Sequence, residues 1–137
     1  MPLLYNSSDS VGRLFRKKFN FKMTIETIQN ICLQLPGVTE DLKLGDHLCF
    51  NVGGKTFVFT GPDSVPPTAS VKVPDEVFEE TLQKPCFSPQ AYIGRYKWVH
   101  IADISCLSRQ EWEFYIKQSY LLIAEKLPAK VKKEIGL

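Results

Sequence analysis

The sequence contains no long apolar run, and this absence limits where the chain can reside. Its stretches of consecutive apolar residues are only a few residues long, whereas a helix that spans a bilayer needs roughly 20. The N-terminus also lacks the long apolar segment and small-residue cleavage site of a secretory signal. We therefore expect a protein that resides in the cytoplasm and does not contact a membrane.

The motifs of common chemistries are absent as well. No glycine-rich dinucleotide or phosphate loop, no GxSxG and no HExxH occurs. The four cysteines, Cys32, Cys49, Cys86 and Cys106, stand singly and have no CxxC or CxxH spacing for a zinc site. We therefore expect no enzyme activity, no catalytic residue, no cofactor and no bound metal, and we expect four reduced thiols.

Histidine is scarce, which restricts acid-base chemistry further. His47 and His100 are the two histidines of the chain, and both fall in predicted strands without an acid at a spacing that would place it alongside. Cys49 lies on the same side of its strand as His47. A thiol–imidazole pair, or a zinc site formed by these two residues with His100, is therefore a third hypothesis beside the two binding hypotheses below.

The net charge of +2 is divided unevenly along the chain. Residues 1–22 hold five of the 17 basic and one of the 15 acidic residues, which leaves 12 basic and 14 acidic residues for 23–137. That part therefore has a net charge of −2. Domains that bind duplex nucleic acid usually carry a basic excess, so the composition weakens a nucleic-acid-binding interpretation.

Length and composition predict one folded domain, residues 23–137, preceded by a basic leader, residues 1–22. A chain of 137 residues with 44% hydrophobic residues can bury one core. Apolar residues recur at helical spacing among the basic residues of the leader, which is compatible with a membrane-surface or targeting helix. Alternatively, Met23 is the natural start, Thr24 caps the first helix, and the leader is disordered or not natively translated.

The folded part alternates helical and strand patterns, which predicts an α+β two-layer sandwich. Helices are expected from Thr24 to the Pro36-Gly37 stop, after Pro74, and after a capping box at Ser108. Strands are expected over Asp41–Leu44, His47–Val52, Lys55–Thr60, Ala69–Val73 and Trp98–Ile101. We expect these strands to form an antiparallel sheet with the helices on one face, and we expect a loop from Cys86 to Lys97.

The Gly53-Gly54 pair predicts a two-residue hairpin loop, which fixes a register. The pairs on the core side would be Val52 with Lys55, Phe50 with Phe57, and Leu48 with Phe59. The pairs on the open side would be Asn51 with Thr56, Cys49 with Val58, and His47 with Thr60, and Lys72 would join them. A two-residue turn at Gly45-Asp46 would move Leu42 to the polar side, so we expect a longer or bulged connection there.

A set of short segments follows in a fixed order: Leu35–Asp41, Cys49–Lys55, Val71-Lys72, Tyr92–Arg95, Lys97–Val99 and Ser119-Tyr120. Taken together, they resemble the MmcQ/YjbR family, and the resemblance extends from Met23 to about Pro128. It implies a small fold of the CyaY-like kind and a DNA-binding role through a surface described as a double wing. The residues at recurrent family positions are Lys55, Lys72, Gly94, Trp98, Ser119 and Tyr120.

Five residues are the candidates for contact with an anionic partner: Lys55, Lys72, Arg95, Lys97 and Trp98. Their basic side chains would contact phosphates, and the Trp98 indole would stack on a base, although a lysine also keeps a hairpin end soluble and a tryptophan more often packs. We expect Gly94 to serve a backbone conformation.

The leading hypothesis is a non-enzymatic DNA-binding module. The alternative is a small-molecule or protein-interaction domain that uses the same sheet face.

Overall fold

A six-stranded antiparallel sheet with helices on one face forms the fold in a computed structural model that describes residues 22–43 and 45–137. The strands are β1 (Val38–Lys43), β2 (His47–Val52), β3 (Lys55–Gly61), β4 (Thr68–Lys72), β5 (Phe87–Pro89) and β6 (Trp98–Ile101). Their order in the sheet is β1-β2-β3-β4-β6-β5. The predicted antiparallel α+β sandwich is therefore confirmed.

The helices are α1 (Ile25–Leu33), α2 (Phe78–Thr81), α3 (Arg109–Ala124) and α4 (Ala129–Glu134), and short 3-10 turns cover Asp75–Val77, Gly94–Tyr96 and Ile104–Cys106. Thr24 caps α1 by accepting a hydrogen bond from the Thr27 amide at 3.2 Å. The capping box at Ser108 is present as the sequence predicts. Within the described part of the chain, every helix is too short or too polar to cross a membrane.

The segment predicted as a loop, Cys86 to Lys97, contains β5 and a 3-10 turn. A strand of three residues is too short to show an alternating pattern, so pairing with β6 defines it. The same pairing brings Cys86 to Cys106, and the two form a disulfide. The expectation of reduced thiols is wrong for this pair, because the approach depends on strand pairing and not on sequence spacing. The leader, apart from Lys22, lies outside the described residues.

The Gly53-Gly54 loop joins β2 to β3 as predicted, and Val52 lies opposite Lys55. Beyond the next pair, the register shifts by one residue at a β-bulge that leaves Phe57 without a direct partner. Phe50 therefore pairs with Val58, and the predicted pairing of Phe50 with Phe57 is wrong. Both phenylalanines are nevertheless buried in the core, as expected.

The bulge also places Val58 and Phe59 on the faces opposite to those that the sequence predicts. Val58 is buried on the helix side, whereas Phe59 lies on the open side opposite Cys49. The changed partner of Phe50 and the changed faces of Val58 and Phe59 have the same cause: an extra residue in a strand inverts the alternation of side chains beyond it. The prediction for the preceding connection is confirmed: β1 ends at Lys43 and β2 begins at His47, so more than two residues join them.

Helix α3 provides the largest buried side chain and fixes the sheet beneath it. The Trp112 indole N–H donates to the Ile104 carbonyl at 2.8 Å. The buried Ser119 hydroxyl donates to the Phe57 carbonyl at 2.6 Å and accepts from the Lys72 amide at 2.9 Å. These bonds connect backbone groups of β3 and β4 at the bulge, so Ser119 has a structural role.

Candidate functional site

One row of side chains crosses the open face of the sheet from edge to edge. The register places Asp41, Cys49, Phe59, Ser70, His100 and Ser88 opposite one another on successive strands. Opposed residues of antiparallel strands point to the same face. The face is therefore polar toward both edges and aromatic in the middle, where the Phe59 and Trp98 ring centroids lie 5.4 Å apart.

The loop after β5 turns the aromatic centre of this face into a groove. The backbone amide of Gln90 donates to the Trp98 carbonyl at 3.0 Å. Its side-chain oxygen, Oε1, accepts from the Ser70 hydroxyl at 2.5 Å. These bonds hold residues 90–93 beside the sheet. The resulting cavity has a volume of about 690 Å³, within the range of small-molecule sites. We call it the sheet-face groove, and its principal lining residues are Lys43, His47, Cys49, Phe59, Ile93 and Trp98.

A chain of polar side chains crosses three strands beside the groove. The Lys43 ammonium donates to the Thr56 hydroxyl at 2.8 Å, and that hydroxyl donates to Asn51 Oδ1 at 2.6 Å. The Asn51 amide in turn donates to Asp41 at 3.2 Å. Among residues 22–43 and 45–137, no carboxylate forms an ion pair with Lys43. The groove therefore has a positive charge held in place without a paired acid.

The structure does not bring His47, Cys49 and His100 together as a catalytic or zinc site. His47 Nδ1 lies 2.9 Å from the Thr60 carbonyl, and the Cys49 thiol donates to the backbone carbonyl of His47 at 3.5 Å. His100 lies three strands from Cys49, roughly 14 Å at the usual strand spacing. No cluster of three metal-binding side chains occurs in the described ranges. The thiol and the imidazole are oriented toward backbone groups instead of toward each other.

The environment of Cys49 favours the protonated thiol. Burial raises the pKa of Cys49 above its ordinary value, the Lys43 ammonium opposes the rise, and the Asp41 carboxylate adds to it. A thiol must lose its proton to act as a nucleophile. We therefore expect iodoacetamide to alkylate Cys49 at pH 7.5 at least about 10-fold more slowly than free cysteine, because both burial and the raised pKa oppose thiolate formation.

The pH dependence of alkylation tests this expectation. The rate at Cys49, followed by peptide mass spectrometry, should continue to rise above the pH at which a free thiol levels off, because a group with a raised pKa deprotonates later. The same protein unfolded in urea is the control and should react at the rate of a free thiol. A folded-state rate equal to or above that of free cysteine would contradict the assignment and favour the thiol–imidazole hypothesis.

The predicted cationic residues lie at the hairpin end of the sheet. Lys55 begins β3, Lys72 ends β4, and Lys97 directly precedes β6. The backbone joins the last two, because the Val73 amide donates to the Lys97 carbonyl at 2.9 Å. Lys126 belongs to the same end, since its neighbour Leu127 packs at the diglycine loop. We call these four lysines the basic end.

Electrostatics connect two of these lysines to Lys72, because the charges of Lys126 and Lys97 act on its ammonium group. Burial lowers the pKa of Lys72, Lys126 and Lys97 lower it further, and the Asp75 carboxylate acts in the opposite direction. The Lys72 ammonium donates to the Tyr96 carbonyl. Sequence reasoning did not select Lys126, because a lysine at a helix C-terminus is typically a solvated partner of the helix dipole.

Three of the five candidates, Arg95, Lys97 and Trp98, contact aromatic rings of the same chain. The Lys97 ammonium lies 5.0 Å from the centroid of the Phe78 ring, and the Arg95 guanidinium lies 4.9 Å from that of Tyr96. Trp98 is 9% exposed and packs on Phe59, so its indole belongs to the sheet-face groove and not to the solvent side of the basic end.

Gly94 is required for space instead of for an unusual backbone conformation. Its φ lies outside the left-handed region, and a Cβ added there would lie 2.9 Å from Pro89 Cβ. The expected conformational role is therefore wrong, because the close approach of two loop segments excludes a side chain. Tyr120, also at a family position, donates its hydroxyl to the Pro36 carbonyl at 2.7 Å and so joins α3 to the turn after α1.

Comparison with known proteins places this chain in a family. A family model described as YjbR matches residues 33–122, so the chain belongs to the YjbR family. A crystal structure of the Deinococcus radiodurans protein DR2400, a DUF419 domain, is 25% identical to this chain. It aligns over 83% of this chain and 88% of its own, with a TM-score of 0.75. A search of curated proteins gives no match. The resemblance seen in the sequence is confirmed.

Proposed function

We propose that this protein is a non-enzymatic binding module whose basic end holds phosphates of nucleic acid, the DNA-binding role that the family resemblance implies. The observation that carries the proposal is that a backbone hydrogen bond joins the segments of Lys72 and Lys97, and that the charges of Lys126 and Lys97 repel the Lys72 ammonium while the Asp75 carboxylate opposes them. A bound phosphate would relieve this repulsion, and Lys55 at the same end would extend the contact.

The charge distribution sets the kind of binding to expect. Residues 23–137 carry a net charge of −2, so attraction to DNA arises from the local cluster and not from the whole domain. Lysines contact phosphates as point charges and carry no base code. Binding through the basic end should therefore be weakly dependent on sequence and strongly dependent on salt.

The non-enzymatic and cytoplasmic parts of the proposal have separate support. His47 and Cys49 are oriented toward backbone carbonyls, which supports a binding role over catalysis. The cytoplasmic part rests on the proposed nucleic-acid partner, and the Cys86–Cys106 disulfide is the observation against it, because disulfides are rare in the cytoplasm. Rapid alkylation of the protein in its host, followed by mass spectrometry, tests this part. A fully oxidised Cys86–Cys106 pair in living cells would count against the cytoplasmic location.

Substitution of two lysines tests the DNA-binding proposal. In the full chain, Lys72→Ala combined with Lys97→Ala should weaken binding to a short labelled duplex about 3- to 10-fold at moderate salt, because two phosphate contacts are lost. The slope of log K against log salt should become less steep by about 2, since each contact contributes roughly 0.9. Fluorescence anisotropy at several salt concentrations measures both quantities on two unrelated sequences.

The matched control removes two lysines from other parts of the surface. Lys84 and Lys117 are exposed residues outside the basic end, and the pair Lys84→Ala with Lys117→Ala changes the net charge equally. The leader is present in all variants, so its contribution cancels in the comparison. Equal losses in both double variants, or DNA binding that salt does not affect, would refute the role of the basic end.

Small-molecule binding is a second candidate function, and the sheet-face groove favours it. The groove combines an aromatic wall with the Lys43 ammonium and the Gln90 side chain, the usual combination in a ligand site. It is lined by residues of β1, β2, β3, β6 and the loop after β5, and so uses the open face that the sequence predicts as a contact surface.

A further inference from the structure

The shape of the sheet-face groove suits a flat apolar group. Phe59 and Trp98 form one wall, with their ring planes tilted by 36°. His47 stands nearly perpendicular to Phe59 at an interplanar angle of 87°. Ile93, on the loop beside the sheet, also lines the groove. Offset and edge contacts of this kind favour an aromatic ring as the occupant.

The polar groups of the groove are predominantly hydrogen-bond donors. The Lys43 ammonium donates one bond to Thr56 and has two further N–H groups. Gln90 uses its Oε1 to accept from Ser70, which leaves its NH₂ group as a donor. Among residues 22–43 and 45–137, neither aspartate nor glutamate lines the groove. A ligand that carries a negatively charged hydrogen-bond acceptor therefore complements the groove better than a cationic or neutral ligand.

His47 differs from these donors, because it can offer a ligand either an acceptor or a donor. Its Nδ1 faces the Thr60 carbonyl, a group that can only accept, so Nδ1 carries the proton. The remaining nitrogen, Nε2, accepts a hydrogen bond in the neutral ring and donates one in the imidazolium form. The ring lines the groove and can therefore contact a second polar group of a ligand.

From these contacts we propose that the sheet-face groove binds a small aromatic carboxylate, with the ring against Phe59 and Trp98 and the carboxylate on Lys43. The inference rests on the second candidate function and is independent of DNA binding at the basic end. One ammonium without a paired acid matches one carboxylate, whereas a nucleotide would bring several negative charges to a groove in which Lys43 is the one lysine among the described lining residues. The volume of about 690 Å³ accommodates a two-ring compound.

A matched pair of probes tests the ligand class. Naphthalene-2-carboxylate and naphthalene-2-carboxamide share the ring and differ in charge. We expect calorimetry on the full chain to show at least about 10-fold tighter binding of the carboxylate, since charge-assisted hydrogen bonds are roughly twice as strong as neutral ones. Bound carboxylate should also slow the alkylation of Cys49, because this thiol lines the groove.

Variants assign the binding to the groove. Lys43→Met keeps the length of an exposed side chain and should remove the preference for the carboxylate while the carboxamide still binds. Lys55→Met, the matched control at the basic end, should retain the preference. Ala91 is exposed and lines the groove, so Ala91→Trp should fill it and abolish the binding of both probes.

The outcomes separate the ligand class from the function of the groove. Equal affinity for both probes, or equal loss of preference in Lys43→Met and Lys55→Met, would overturn the carboxylate assignment and leave a groove for neutral aromatic ligands. No binding of either probe at millimolar concentration, or binding that Ala91→Trp leaves intact, would overturn small-molecule binding at this site. Neither result bears on the DNA measurements, which depend on Lys72 and Lys97.

Discussion

Ser119→Ala is expected to lower the free energy of unfolding by about 2–5 kcal/mol. The wild-type hydroxyl is fully buried and bonds both the Phe57 carbonyl and the Lys72 amide. Alanine leaves both backbone groups without this partner at a place where the β-bulge already interrupts the ladder. Each buried group left unsatisfied costs about 1–3 kcal/mol. Urea denaturation followed by circular dichroism, with an unchanged m-value, measures the loss.

An exposed serine provides the control for this substitution. Ser105 is exposed on the 3-10 turn before α3, and Ser105→Ala should change the free energy of unfolding by less than about 0.5 kcal/mol. If Ser119→Ala cost no more than Ser105→Ala, the hydroxyl would not support the bulge. The position of Phe59 on the open face would then require another explanation.

Gly53→Ala is expected to destabilise the protein by about 2–4 kcal/mol through two separate effects. The backbone of Gly53 is left-handed, with φ of +57°, which costs an L-residue about 1–2 kcal/mol. A Cβ at this position would also lie 2.6 Å from Leu127 Cδ1, and overpacking typically costs about 1–3 kcal/mol. Chemical denaturation of the full chain measures the total.

The neighbouring glycine separates the two effects. Gly54 has φ of +80°, and apart from its chain neighbours no described residue has an atom within 4 Å of the position of its Cβ. Gly54→Ala should therefore show the backbone strain alone, about 1–2 kcal/mol. The difference between the two variants reports the contact between the hairpin loop and Leu127. Equal losses in both variants would mean that Leu127 moves away without cost and that the hairpin is not held against the end of α3.

The physical basis of this hairpin explains why the sequence predicts it. Two consecutive glycines permit the positive φ angles of a tight turn, and the flanking residues alternate in polarity, so local chemistry defines the loop and its first pair. The bulge one step further has no local signal, because Phe57 and Val58 are both apolar and either could face the core. The bulge is bonded to Ser119 of α3, which lies 62 residues away in sequence from Phe57.

The basic end and the sheet-face groove also differ in how much of each the sequence predicts. Lys55, Lys72 and Lys97 could be selected from strand positions and family resemblance, whereas Lys126 joins them because the end of α3 packs at the hairpin. The sheet-face groove could not be predicted as a cavity. It exists because the bulge turns Phe59 outward and because Gln90 is bonded to β4 and β6. Both events depend on contacts between segments that are distant in the chain.

By itself, the sequence determined the α+β class, the helix caps, the diglycine hairpin, the membership of the YjbR family and the burial of Phe50 and Phe57. These features follow from local propensity and from periodic burial, which nearby residues encode. The tertiary structure alone decided the bulged register, the Cys86–Cys106 disulfide, the basic end and the groove. These depend on which distant segments pack together, because a one-residue change of register moves a side chain from the core to a surface where it can contact a ligand.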